Sequence, residues 1–201
     1  RTFLYFEAVN YRADVYLNGE KVGEHTGGFT PFVVEVTGRL RETGNVLVVG
    51  ADSSHAATSI PGPQVDWWNY GGITRPVSLV RTPRTHLRHH SLALQPDGTI
   101  AVSLTLDGDA AADQPVTLSI PELGLEHAGR SDAGGTYTAR VAAPGLQRWA
   151  PGSAKLYDVA LTAGADRVVD RVGFRTVAVN GSQVLLNGEP IFFKGVSMHE
   201  E

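Results

Sequence analysis

The sequence predicts an all-β protein built from sandwiches. Apolar and polar side chains alternate with a period of two along most of it. No stretch carries a convincing amphipathic helical period. Gly, Pro, Asn and Asp fall between the alternating runs, where turns need them.

Residues 3–9 are apolar and aromatic and suit a buried strand. Ala13-Asp14-Val15-Tyr16-Leu17 alternates, meets Asn18-Gly19, and resumes as Glu20-Lys21-Val22-Gly23. Asn-Gly supplies the positive φ angles of a type I′ turn, so this stretch predicts a hairpin. Strands follow over 32–36 and 46–49. Residues 53–72 then run without periodicity, a length that in a compact domain is usually functional or disordered. Trp67, Trp68 and Tyr70 make it a poor candidate for disorder, so an ordered loop is expected. A strand over 77–80 closes the first unit, and Thr82-Pro83-Arg84 marks a boundary.

Beyond the boundary, short β-rich segments recur over 91–94, 100–106, 116–120, 137–141, 156–161 and 168–174. Turn residues punctuate them, as in Gln95-Pro96-Asp97-Gly98. This spacing predicts an immunoglobulin-like sandwich, and with no Cys its sheets must be held by packing alone. Val184-Leu185-Leu186, a second Asn-Gly turn at Asn187-Gly188, and a strand over 191–196 predict a final hairpin that runs into Ser197-Met198-His199-Glu200-Glu201. The chain opens inside one strand and stops after another, which leads us to expect a longer native polypeptide.

Composition narrows the function. The 201 residues carry 17 Lys plus Arg against 21 Asp plus Glu, a net charge of −4. Without a basic run, nucleic acid and anionic membranes are poor partners. The absence of Cys excludes thiolate metal sites and a cysteine nucleophile. No apolar run approaches the roughly 18 residues of a membrane span.

Five pieces, in order, carry a resemblance. They are Val15-Tyr16-Leu17-Asn18-Gly19-Glu20-Lys21-Val22-Gly23-Glu24-His25-Thr26-Gly27-Gly28-Phe29-Thr30-Pro31-Phe32, then Asp66-Trp67-Trp68-Asn69-Tyr70-Gly71-Gly72-Ile73-Thr74-Arg75-Pro76-Val77, then Trp149-Ala150-Pro151 with Leu156-Tyr157, then Val172-Gly173-Phe174-Arg175, and Leu186-Asn187-Gly188-Glu189-Pro190 running to His199-Glu200. Each alone is common; together they resemble the N-terminal part of glycoside hydrolase family 2, which holds β-galactosidases, β-glucuronidases and β-mannosidases. The resemblance implies a jelly-roll sugar-binding domain over 1–83 that lacks its first strands, an immunoglobulin-like sandwich over 84–177, and over 178–201 the first strand of a (β/α)8 barrel. Family members are retaining enzymes with two carboxylates about 5–5.5 Å apart. Both would sit on later barrel strands, so no catalytic residue is expected here and these residues alone should be inactive.

The resemblance also assigns binding roles. Asp66 becomes the carboxylate sent toward the barrel mouth to accept sugar hydroxyl hydrogens, a charge-assisted and therefore strong kind of bond. Read without it, Asp66 is a loop residue capping a turn. Trp67, Trp68 and Tyr70 could stack on sugar faces, although at least two of the three are expected to pin the loop. Trp68 and Asn69 are taken as the substrate contacts beside Asp66. His199 becomes a substrate-contacting histidine, not the proton donor; its plain alternative is a surface His near the chain's end. Glu200 and Glu201 receive no catalytic role. Adjacent His89 and His90 would face opposite sides of a strand, so with His86 they read as structural or solvent-facing. Arg75 and Arg175 read as salt-bridging residues at domain interfaces.

No cofactor is expected in this segment; some relatives use Mg²⁺ and Na⁺, with ligands outside it. The implied partner is a β-linked galactoside or, as runner-up, a glucuronide. A stand-alone carbohydrate-binding or scaffold module is the competing reading. Homo-oligomerisation stays open, as does a cytoplasmic against a periplasmic or secreted location.

Overall fold

The computed structural model describes all residues except His55, Pro61, Pro63, Asp66, Trp67, Trp68 and residues 199–201, and no α-helix forms among those described. The strands gather into two units, one carried by Arg1–Thr82 and the other by Pro83–Gly195.

The first unit contains β1 (Thr2–Phe6), β2 (Val9–Asn10), β3 (Arg12–Leu17), β4 (Glu20–Thr26), β5 (Phe32–Glu35), β6 (Leu47–Asp52), β7 (Gly72–Ile73) and β8 (Val77–Arg81). They pair as two three-stranded antiparallel sheets, β5-β1-β8 and β4-β3-β6, with β2 and β7 as a separate pair. Period-two patterning explains the layers. Ala13, Val15 and Leu17 of β3 are buried, while Arg12 and Tyr16 are exposed and Asp14 is half-buried. They share one core with Leu4, Phe6, Val9, Val34 and Val36. Full burial of a side chain such as Phe6 contributes about 1.5–3 kcal/mol. Phe6 stacks on Phe32 at 4.6 Å, and the His25 ring stacks on Phe32 at 4.4 Å. Between β3 and β4, Asn18 and Gly19 have φ of 53° and 90°, as the hairpin turn requires.

The second unit contains β9 (His86–Leu94), β10 (Thr99–Asp107), β11 (Pro115–Ile120), β12 (Leu125–Arg130), β13 (Thr136–Ala142), β14 (Tyr157–Ala163), β15 (Asp166–Val172), β16 (Val177–Asn180), β17 (Gln183–Leu186) and β18 (Glu189–Pro190). The sheets β13-β10-β9 and β12-β11-β14-β15 form the immunoglobulin-like sandwich, and β16-β17-β18 is a small antiparallel meander. Alternate residues of β10 (Ile100, Val102, Leu104, Leu106) and of β11 (Val116, Leu118, Ile120) are buried in one core. Tyr157 and Phe174 lie within that core in place of a disulfide, their rings tilted at 6.1 Å. The Tyr157 hydroxyl is satisfied by accepting the Gln147 N–H at 2.8 Å. Asp166 accepts the Leu87 N–H at 2.8 Å and Asp170 lies 3.3 Å from the His90 ring, so β15 is tied to β9 of the opposite sheet.

Three of the motifs read along the chain converge on Trp149. Its N–H donates to Phe174 O at 2.8 Å, and its carbonyl accepts Asn187 Nδ2–H at 3.0 Å. The Arg175 guanidinium lies 5.4 Å from the Trp149 ring centroid and donates to Gly173 O, a cation–π contact within this unit. Asn187 also exchanges two bonds with Thr176, accepting its N–H at Oδ1 and donating its own N–H to Thr176 O.

The structure departs from the sequence expectations at several places. The run over 3–9 divides into β1 and β2, which join different sheets. Strand β12 was not anticipated because Glu126, His127, Ala128 and Gly129 are weak strand formers; its pairing with β11 overrides that preference. Strand β16 was likewise unanticipated, and it turns the final hairpin into a meander. The expected strand over 191–196, read as the first barrel strand, does not form among the described residues. β18 ends at Pro190, and after the Ile191 N–H bond to Val184 O no residue of 192–198 joins a ladder. Extended backbone holds as a strand only when a neighbour pairs its polar groups, and here Phe192, Phe193, Val196 and Met198 stand exposed.

Candidate functional site

The long segment between β6 and β7 is the feature most unlike ordinary scaffold, and both its ends are fixed on one dipeptide. Tyr11 donates its N–H to Asp52 O at 3.0 Å, where the segment departs. Asn10 pairs with Gly72, where it returns. At that base Gly71 leaves no room for a side chain, since a Cβ there would lie 2.4 Å from Ser53 Cβ. Asp52 accepts the Ser54 N–H at 2.9 Å, and the bonds from the Ser54 side chain and backbone hold its carboxyl below the usual range. Further along, Ser59 is buried; its hydroxyl accepts the Ala56 N–H and its own N–H returns to Ala56 O.

Asn10 is the centre of this arrangement and was not singled out from the sequence. It is 1% exposed. Its Nδ2 donates twice, to Asn69 Oδ1 at 2.8 Å and to Tyr70 O at 2.6 Å. Its Oδ1 is buried with no hydrogen-bond partner in the protein. Gly28 admits this side chain: a Cβ there would lie 2.5 Å from Asn10 Oδ1. The signal available in the sequence was an Asn between Val9 and Tyr11 in an otherwise apolar strand, together with the Gly27-Gly28 pair.

Of the expected site residues, Asn69 is brought into the arrangement, half-buried and bonded to Asn10. Asp66, Trp68 and His199, with Trp67, lie outside the described residues. Tyr70 is 59% exposed and is held through its carbonyl rather than its ring. His86 is buried, His89 is exposed, and His90 faces Asp170. Among the described residues no group of three His, Cys, Asp or Glu is placed to hold a metal ion. Nor is any helix of the described residues long and apolar enough to cross a membrane. Among the described residues the shifted carboxyls Asp14, Glu24, Glu35, Asp52, Asp97 and Asp113 are lowered chiefly by hydrogen bonds to the charged form, the reverse of what a general acid needs. The described site therefore has the chemistry of hydrogen bonding and positioning.

Comparison with known proteins places this architecture. Residues 1–83 match the family described as glycosyl hydrolases family 2, sugar binding domain. A β-galactosidase of Arthrobacter sp. (strain B7) is 34% identical over 98% of this chain and 19% of its own length. The β-glucuronidase of Canis lupus familiaris is 29% identical over all of this chain and 36% of its own. Among solved structures, the Bifidobacterium dentium β-glucuronidase complexed with coumarin-3-O-glucuronide superposes with a TM-score of 0.88 at 27% identity, over 97% of this chain and 39% of that one. The chain thus spans well under half the length of these relatives. Residues 1–83 carry the sugar binding domain of glycosyl hydrolases family 2, and the chain as a whole is similar to β-galactosidases and β-glucuronidases along its length.

Proposed function

We propose that this chain is the non-catalytic region of a retaining β-glycosidase that hydrolyses terminal β-galactosides. The observation that carries the reading is the 34% identity to a β-galactosidase along 98% of the chain. In this reading residues 1–83 form the sugar-binding domain and 84–177 the immunoglobulin-like sandwich. Residues 178–201 lead toward a catalytic barrel that holds both carboxylates. Asp66, Trp68 and Asn69 face the sugar from the anchored loop, and His199 contacts it at the barrel mouth. A β-glucuronidase is the second reading, favoured by the solved likeness bound to a glucuronide.

The test is hydrolysis of nitrophenyl β-galactoside and nitrophenyl β-glucuronide by the full product of the native gene and by the 201-residue chain. The galactoside should be turned over by the full product alone. Turnover of neither sugar by the full product, or of either by the 201 residues, would overturn the proposal. One wall of a site seldom supplies the enclosure of a small-ligand pocket, so calorimetry should register weak or no galactose binding by the 201 residues.

A further inference from the structure

Three asparagines precede glycine: Asn18, Asn180 and Asn187. In such a dipeptide the glycine nitrogen, with no side chain beside it, can attack the asparagine amide carbon. The sequence therefore offers one chemistry three times, and the fold treats the three sites differently. At Gly19, Gly181 and Gly188 alike a Cβ would meet nothing within 4 Å, so each glycine stands in open surroundings. The difference lies in the side chain attacked. Asn18 Oδ1 accepts the Val46 N–H at 3.0 Å and its Nδ2 donates to Asn45 Oδ1 at 3.1 Å. Asn187 Oδ1 accepts the Thr176 N–H at 3.1 Å and its Nδ2 donates to Trp149 O at 3.0 Å. Each of these amides must release two bonds before its carbon can turn toward its own chain. Releasing two such bonds lowers the reactive population about thirtyfold. Asn180 ends β16 as an exposed residue, and among the described residues nothing bonds its side chain.

We propose that Asn180 is a site of spontaneous deamidation and that the isoaspartate formed there loosens the β16–β17 hairpin. The Gly181 nitrogen gives up its proton and bonds to Asn180 Cγ; the Cγ–Nδ2 bond breaks and that nitrogen leaves as ammonia. Water then opens the cyclic imide. Adding at Cγ, it leaves an aspartate on an unaltered chain. Adding at the main-chain carbonyl, it leaves an isoaspartate, whose β-carbon has become part of the chain. Asn180 pairs with Gln183 at the closing end of the β16–β17 ladder, with only Gly181 and Ser182 between them. So short a loop sets hairpin register through its length, and an extra chain atom takes the closing pair out of register. Little else holds β16, an edge strand of the meander whose residues are all exposed. The bond from Thr176 to Asn187 lies at the far end of the same ladder and bounds the loosened stretch.

The test follows the 201-residue chain at mildly alkaline pH, with peptide masses reporting the replacement of NH₂ by OH at each asparagine. In the folded chain Asn180 should convert about thirtyfold faster than Asn18 or Asn187, and in urea the three should convert at similar rates. Similar rates in the folded chain, a faster Asn18 or Asn187, or an order that survives unfolding would overturn the site. The isoaspartyl form, separated by chromatography, should exchange the amides of β16 faster than the unconverted chain, while β10 and β11 keep their protection. Unchanged exchange in β16 of that form would overturn the loosening. Asn180→Asp supplies the negative charge without the extra chain atom, so its β16 should exchange as in the wild type. Faster exchange in that variant would assign the effect to charge and overturn the account from register.

Discussion

Asn10 and Asn187 are two solutions to one problem, the fastening of a segment by a carboxamide. Asn187, in the meander, is used on both sides: Oδ1 accepts the Thr176 N–H, Nδ2 donates to Trp149 O, and its backbone N–H reaches Thr176 O. Asn10 uses only its donor side and leaves a buried oxygen without a partner in the protein. A buried acceptor left unmade costs on the order of 1–3 kcal/mol, so the Asn10 arrangement is less economical as a fastener. The difference teaches that the same side chain can close both of its faces on the protein, as Asn187 does, or only its donor face, as Asn10 does.

The comparison can be broken first at Gly28. Its φ is ordinary, so Gly28→Ala acts only through the clash with Asn10. Overpacking of this kind should destabilise the first unit by about 1–3 kcal/mol, read from urea unfolding. An unaltered midpoint would mean that Asn10 is free to move away from Gly28 and that its bonds to Asn69 and Tyr70 do not fasten the segment. The matching test on the other asparagine separates backbone from side chain. Asn187 sits at φ 56°, so Asn187→Gly keeps the turn and loses only the side-chain bonds, at about 1 kcal/mol. Asn187→Ala adds the left-handed penalty and should cost about 2 kcal/mol in the same assay.

A smaller effect is expected at the exposed pair of Arg1 and Glu35, where fastening is chiefly ionic. Arg1 Nε and Nη2 grip the two Glu35 oxygens at 2.9 and 2.6 Å, and Thr37 donates a third bond. Chiefly through the Arg1 bonds, the Glu35 carboxyl falls from 4.5 to about 2. A lowered folded pKa stabilises above the unfolded value and loses that contribution as pH falls through the folded one. Glu35→Gln should therefore flatten the acid limb of the stability profile between pH 4.5 and about 2, its deficit being full at pH 7 and vanishing below about 2. Solvent screening keeps the amplitude small.

Local chemistry made much of this fold legible in the sequence. Both Asn-Gly turns hold φ angles that their residues announce, and β3 and β10 display their buried faces by alternation. Strand β12 was illegible because its stability comes from β11 rather than from its own residues. The strand expected over 191–196 fails for the opposite reason, an apolar run with no ladder to join among the described residues. Asn69 could be named from a motif, but Asn10 could not. Its partners are 59 and 60 residues away along the chain, and only folding reveals that a Gly was needed to admit it.

Because both ends of the 53–71 segment are fixed on Asn10 and Tyr11, the sandwich beneath it is insulated from changes in the segment's length. Doubling such a loop costs only about 0.6 kcal/mol in closure entropy. Insertions and exchanges between these anchors can therefore remodel what the domain offers a ligand while the layers below keep their register, giving evolution, or a protein engineer, a cassette with a fixed socket.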